Sequence, residues 1–327
     1  MKNCFRFLSS YACAVAIITC VSESAAAQTY PGKTVRFLVG FPAGGATDIS
    51  ARAIASKLDT AWKNSVVVEN RPGASGVIAA ELVKNAPADG YTVLFGSSNE
   101  ITVRPALVSK MPFDPVGDFA PVSLAIVTPA IIVVHPSVPA RSTKELIALA
   151  KGKPGELSYA ATGPGSPQHL AGELFKILSG TNLVYIPYKG AAPAITDLVG
   201  GHVPVGILTM AGTMQYVTAG KLRAIAVTSA KRSAIARDVP TVAEAGLKGF
   251  DMNQWFGVFL PRGTPPAIVN QVSKDIAKTL QAPDLRDFLE TQALEPVGST
   301  PEEFAKFIAV ELTKNAKIVR EAGIKIE

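Results

Sequence analysis

Short runs of β-branched and aromatic residues alternate along most of the chain with stretches whose apolar positions recur every three to four residues. The runs predict strands at 35–39, 66–69, 92–95, 131–134, 157–160, 183–186, 203–208 and 224–228. Between them, helical periodicity predicts helices over 48–61, 77–84, 143–151, 167–179 and 193–199. Strands alternating with helices of this length predict βαβ units, mainly parallel sheets and an α/β fold class. Gly or Pro stands at nearly every junction, as the tight connections of such folds require. After Gly263-Thr264-Pro265-Pro266 the pattern becomes wholly helical, over 267–281, 284–291 and 301–322. Pro near a helix start and Gly past its end fit the usual asymmetry.

Two places offer a passage between domains. The segment 119–134 is strand-like but interrupted by Thr128-Pro129, and 250–260 carries Trp255, Phe256 and Phe259. Two crossings predict a discontinuous first lobe, 28–125 plus 252–327, and a second lobe spanning 126–251.

Composition narrows the class. Lys2 and Arg6 precede an apolar stretch from Tyr11 to Val21, and Ala25-Ala26-Ala27 supplies a small-residue cleavage site. This reads as a secretory signal peptide over 1–27, cut after Ala27, and places the mature chain in the periplasm. A lipid anchor on Cys20 is the other reading of the same segment. Cys4, Cys13 and Cys20 are the chain's only cysteines, so the mature protein is expected to hold no disulfide and no thiolate metal site. Without Lys2, Arg6 and Glu23 the count is 30 basic against 25 acidic residues, scattered rather than clustered. That argues against a nucleic-acid partner and weakly favours anionic solutes. His135, His169 and His202 are far apart in sequence, and no metal motif accompanies them. No metal and no cofactor is expected.

Three Gly-rich loops each join a strand to a helix start. The first holds Phe41, Ala43, Gly44, Gly45 and Asp48. Paired glycines allow close backbone approach, and the following helix offers unpaired N–H groups, which suits a carboxylate. A side chain at Gly44 or Gly165 is expected to occupy that carboxylate's space. Asp48 reads either as a ligand contact or as a stabiliser of the helix's first turn. The loop lacks a Walker lysine and the G-x-G-x-x-G spacing, so a nucleotide site is not expected. The second loop holds Thr162, Gly163, Gly165, Ser166 and His169, with Ser166 placed as N-cap and Pro167 as the first helical residue. Ser166 and His169 read either as anion donors or as parts of an ordinary capped helix. A hydrolase is disfavoured, because Gly-Ser-Pro is no nucleophile elbow and the proline removes an oxyanion-hole N–H. The third loop offers Lys189 and Gly190 before Pro193.

The segments PGKTVRFLVGFPAGGATDISAR (31–52), ENRPGASGVIAAELV (69–83), DGYTVLFGSS (89–98), SYAATGPGSPQHLAGELF (158–175) and YKGAAPAITDLVGGHV (188–203) form one ordered series. GKLRAIAVTSAKR (220–232), DVPTVAEAG (238–246) and WFGVFLPRGTP (255–265) complete it. In these segments the chain resembles the solute-binding proteins of tripartite tricarboxylate transporters, the Bug family. The resemblance implies a type II periplasmic-binding-protein fold, two α/β lobes with a ligand cleft between them. It also implies that loops 41–48 and 163–166 face each other and hold a carboxylate through backbone amides and water. Ser98, at the end of a matched segment, joins the expected ligand set. The family's ligands include di- and tricarboxylates, acidic amino acids, nicotinate and aromatic acids. Two positions depart from the pattern. Leu208-Thr209-Met210 stands where many relatives have an Asp, leaving Thr209 as the candidate contact and disfavouring an ammonium-bearing ligand. Arg104 stands where relatives often carry Asn, and reads either as added positive potential or as a solvated helix-start residue. The expected function is therefore a monomeric periplasmic binding protein, not an enzyme. It delivers a di/tricarboxylate or aromatic acid to the membrane subunits of a tripartite transporter. A ligand-sensing partner of a signalling receptor and, more remotely, a periplasmic enzyme are the alternatives.

Overall fold

The computed structural model describes residues 30–324. The leader expected at 1–27, its cysteines and its cleavage site lie outside the described residues.

The first part of the chain runs β1 (Val35–Val39), α1 (Ala46–Trp62), β2 (Val66–Asn70), α2 (Val77–Lys84) and β3 (Thr92–Ser97). A π-helical turn, Asn99–Val103, then leads into the short α3 (Arg104–Leu107). The long strand β4 (Phe119–Val134) follows. The middle is α4 (Thr143–Gly152), β5 (Ser158–Thr162), α5 (Pro167–Ser179), β6 (Val184–Tyr188), α6 (Ala191–Val199), β7 (Val205–Thr209), α7 (Met210–Thr218) and β8 (Arg223–Val227). The last part is β9 (Asn253–Pro261), α8 (Pro266–Leu280), α9 (Pro283–Thr291), β10 (Glu295–Pro296) and α10 (Pro301–Ala322). The structure thus carries two helices that hydrophobic periodicity left unmarked, α3 and α7.

The described strands form one sheet with two differently built halves. In one, β2, β1 and β3 are parallel, while β9 runs antiparallel between β3 and β4. In the other, β6, β5 and β7 are parallel, and β7 and β8 both pair antiparallel with β4. Strand β4 belongs to both: residues up to Pro129 pair with β9, and Ala130–Val134 pair with β7 and β8. The interruption expected at Thr128-Pro129 is absent. Pro129 stands where β4 exchanges one set of partners for the next, where a missing N–H does least damage to a ladder. The chain crosses back at 252–253, where the Met252 N–H donates to the Thr228 carbonyl (2.9 Å) just before β9 begins.

Each half is covered on both faces, which is why its strands read as near-continuous apolar runs. On one face Val35, Phe37 and Val39 pack with Ile54 and Leu58 of α1 and Val272 and Ile276 of α8. On the other, Leu38 meets Val77 and Val83 of α2 and Phe304 of α10. In the second half Ile132 and Val134 face α5 through Leu170 and Phe175, while Ile131 and Val133 face α6 through Ile195 and Leu198. Helix α10 opens with a Thr300/Glu303 capping box, and its last turns bring Ile318 and Val319 into the core around α5. The helix therefore bridges both halves rather than packing on the first alone. No helix of the described residues is long and apolar enough to cross a membrane.

Phe304 anchors the start of that bridge, edge-on to Trp255 (5.6 Å between ring centroids) and against Phe259 (5.0 Å). Gly257 admits it, because a β-carbon there would lie 2.1 Å from the Phe304 ring. Phe304→Ala should cost about 3–5 kcal/mol through the cavity it leaves, read as a lowered urea midpoint with unchanged far-ultraviolet circular dichroism before the transition.

Candidate functional site

Open α/β sheets place ligands at the carboxyl ends of their parallel strands. Here those ends are loops 40–45, 71–76 and 98–103 in the first half, and 163–166, 189–190 and 209–210 in the second. A crevice of about 150 Å³ joins the two groups. Ser75, Asn99, Arg104, Leu107 and Val108 form one wall; Gly163, Pro164, Gly165 and Ser166 form the other. No carboxylate lines it.

The first loop is held by an internal network. Asp48 is buried, and its carboxylate accepts from the Gly44 N–H (2.9 Å), the Asn70 amide (2.8 Å) and the Arg52 guanidinium (3.0 Å). Asn70 also donates to the Phe41 carbonyl at 3.0 Å. Burial alone would raise the Asp48 carboxyl, but the bonds from Arg52, Gly44 and Asn70 outweigh it and hold it below the usual carboxylate range. Asp48 is thus a brace whose acceptor capacity is spent on the loop. Ala43, Gly44 and Gly45 stand exposed above it, and Phe41 is half-buried. Gly45 is the N-cap of α1 and no side chain caps that helix, so its first-turn amides keep donor capacity for a ligand.

The second loop is also braced, and more of its amides are spent. The Gly163 N–H donates to the Tyr188 carbonyl (2.9 Å), and the Ser166 N–H to the Gly163 carbonyl (3.1 Å). The Gly165 N–H donates to Nδ1 of His169 (3.1 Å). Ser166 caps α5 by accepting from the His169 N–H (3.1 Å), and its hydroxyl donates to the Thr162 carbonyl. Thr162 in turn bonds Gln168 at 2.9 Å. His169 lies buried beneath the loop, stacked on Tyr185 with ring centroids 3.9 Å apart. Burial pushes its pKa down to about 4 against the pull of Glu173, so the ring is neutral at pH 7. With Nδ1 accepting, the proton sits on Nε2, which faces Glu173 Oε1 at 3.9 Å. Glu173 itself is held by Tyr159 Oη (2.8 Å) and Lys176 (2.8 Å).

Of the residues expected from the sequence, the crevice gathers Gly163, Gly165 and Ser166. Thr162 and His169 stand behind them as supports. Ser98 is buried beside crevice-lining Asn99, and its hydroxyl has no hydrogen-bond partner. Lys189 and Gly190 are exposed, Thr209 is half-buried as the N-cap of α7, and none of the three lines the crevice. Loop 41–48 does not line it either. Ser75 and Asn99 carry no sequence signal of this role, and Arg104 stands outside the ligand set expected from the sequence. Ala74 and Ser75 both have positive φ, 47° and 56°, a left-handed pair that propensity does not anticipate in non-glycine residues. Among the described residues no cluster of His, Cys, Asp and Glu is arranged to hold a metal.

Residues 50–324 match the family described as tripartite tricarboxylate transporter family receptor. The chain is similar to Protein BugT of Bordetella pertussis, at 37% identity over 308 residues and 94% of each chain. Among solved structures it is similar to R. palustris Rpa4515 with adipate (36% identity, TM-score 0.79, 90% of this chain and 99% of that one). It is also similar to MatC from Rhodopseudomonas palustris with bound malate (29% identity, TM-score 0.73, 89% of this chain and 100% of that one).

Neutral His169 makes stability depend on pH. Its folded pKa, about 4, lies below the model-peptide value of 6.5, so between those values the unfolded chain binds more protons. The stabilisation is complete above about pH 6.5 and is lost as pH falls towards 4, by roughly 3 kcal/mol. Buried Glu100, pushed up to about 7 by burial against its bonds from Ser97, acts in the opposite sense and loses stability as pH rises from 4.5. Comparison with a variant therefore isolates the histidine. Between pH 7 and pH 4 wild type should lose roughly 3 kcal/mol of stability relative to His169→Phe, measured by urea unfolding at each pH.

Proposed function

This chain belongs to the tripartite tricarboxylate transporter receptor family, and from that premise we propose that it captures a small carboxylate between its two halves in the periplasm and presents it to a transporter. The observation that carries this reading is the crevice between strand-end loops of both halves, lined by the polar side chains of Ser75 and Asn99 and the cation of Arg104, with no acid. Relatives solved with adipate and malate support a carboxylate as the ligand. The uncapped start of α1, at the carboxyl end of β1 and reached through Ala43, Gly44 and Gly45, offers its amides to a carboxylate, and closure of the halves would bring loop 163–166 towards it. Residues 1–27 act as the leader and the mature chain begins at Gln28. The two lobes meet where β4 changes partners and where the chain returns at 252–253.

The supporting networks favour binding over chemistry. The Ser166 hydroxyl donates to a backbone carbonyl, and the His169 ring is occupied with the Gly165 amide rather than with that hydroxyl. No base stands ready to activate the serine, as nucleophilic catalysis would require. Capture follows from a population shift: an acid bound to one half stabilises the closed arrangement by its additional contacts with the other.

Gly44 and Gly165 have φ of +84° and +72°, so a side chain at either strains the backbone as well as filling the site. Gly45 and Gly163 carry no such constraint, and a β-carbon at Gly163 meets nothing within 4 Å. A thermal-shift screen of the mature chain should find one class of carboxylate that stabilises it by about 2.7 kcal/mol at a hundred times its dissociation constant. Gly45→Val and Gly163→Val should abolish that response while leaving the ligand-free midpoint close to wild type. No response to mono-, di-, tri- or aromatic carboxylates, after refolding to strip carried-over ligand, overturns the reading.

A further inference from the structure

Only two arginines among the described residues are withdrawn from full exposure, Arg104 and Arg223. The Arg223 guanidinium is committed, donating to the carbonyls of Pro136, Val138 and Ala140 at 3.1–3.4 Å. Arg104 has no such employment: its side chain makes no hydrogen bond or ion pair with any described residue, and it lines the crevice. Glu100, four residues earlier and the nearest acid in sequence, turns away. Its carboxyl accepts from the N–H and the hydroxyl of Ser97 and lies against Gly76. A partly desolvated guanidinium without an internal counter-ion favours entry of an anion, and its planar fork matches a carboxylate with two parallel bonds.

The rest of the lining makes the assignment specific. Ser75 and Asn99 stand with Arg104 and bring neutral polar side chains, while Leu107 and Val108 are apolar. Across the crevice, Pro164 has no N–H and the amides of Gly163, Gly165 and Ser166 are already bonded. Recognition of charge in this space therefore falls on Arg104. A volume of about 150 Å³ equals roughly five waters, room for a carboxylate and a short carbon chain.

We propose that Arg104 is the specificity-determining residue of the cleft: it binds the second carboxylate of an acid whose first is held by backbone amides of the strand-end loops, and so selects dicarboxylates over monocarboxylates of the same length. The inference rests on the carboxylate-binding reading above and adds to it the residue that counts charges. Arg104→Gln removes the cation at nearly constant size, and Arg104→Lys keeps the charge but loses the fork. Because the side chain has no partner in the protein, both variants should melt with wild type.

Isothermal titration of the mature chain with succinate, glutarate and adipate, each beside butyrate, pentanoate or hexanoate, tests the assignment. Wild type should prefer the dicarboxylate of a pair. Arg104→Gln should lower the ratio of dicarboxylate to monocarboxylate affinity by about ten- to a hundredfold, the worth of a charged hydrogen-bonded pair. Arg104→Lys should fall between the two. An unchanged ratio in Arg104→Gln, or a wild type that binds both members of each pair equally, overturns the role of Arg104 while carboxylate binding stands. A wild type that binds none of the six acids overturns the role of Arg104, and the carboxylate reading falls with it only if tricarboxylates and aromatic acids also fail in the thermal-shift screen.

Discussion

The ladder along β4 determines where everything else can stand. One strand supplies hydrogen-bonding edges to β9 in its first part and to β7 and β8 in its second, so the two halves share a backbone element without a flexible linker. The return crossing at 252–253 runs beside it, fastened through Met252 and Thr228. Loops at the carboxyl ends of β1 to β3 and of β5 to β7 consequently remain on the two sides of one cleft. Helix α10 reinforces the arrangement by packing Phe304 on one half and Ile318 and Val319 on the other.

Within this frame the acids near the site have a common orientation. Asp48 points into its own loop, Glu100 into the Ser97 turn, and Glu173 into the Tyr159–Lys176 cluster below the second loop. Each satisfies buried donors, and each is thereby kept out of the crevice. The walls are left with neutral side chains and one guanidinium, a lining that attracts anions without a large net charge. The price is conformational: Ala74 and Ser75 take left-handed φ values that non-glycine residues avoid, held by the turn that carries Ser75 to the crevice. Loops braced by Asp48 and His169 keep their shape before a ligand arrives, which lowers the ordering cost of binding.

Much of the frame was legible without coordinates. Strand 35–39 and helices 77–84, 167–179 and 301–322 coincide with β1, α2, α5 and α10 residue for residue, because their apolar positions are regular and, for α5 and α10, a capping hydroxyl and a first-turn proline mark the start. Periodicity failed where tertiary contacts overrode it. The Asn99–Val103 turn and α3 are short and lack an amphipathic stripe of their own. At Pro129 a strong local breaker is tolerated, because the strand changes partners there.

The site divided along the same line. The sequence by itself determined the Gly-rich loops, the capped start of α5 and the absence of a nucleophile elbow, since each depends on neighbours a few residues away. Only the tertiary structure decided the fate of individual side chains within those loops. A linear reading leaves Asp48 and His169 open between ligand contact and helix support, and Asn70, Arg52, Tyr185 and Glu173, distant or on another turn, claim them. Ser75, Asn99 and Arg104 carry no motif, and become a wall only because the fold sets them opposite Gly163 and Ser166. Backbone shape follows from local chemistry, whereas a side chain's free donors depend on which partners long-range packing has already brought to it.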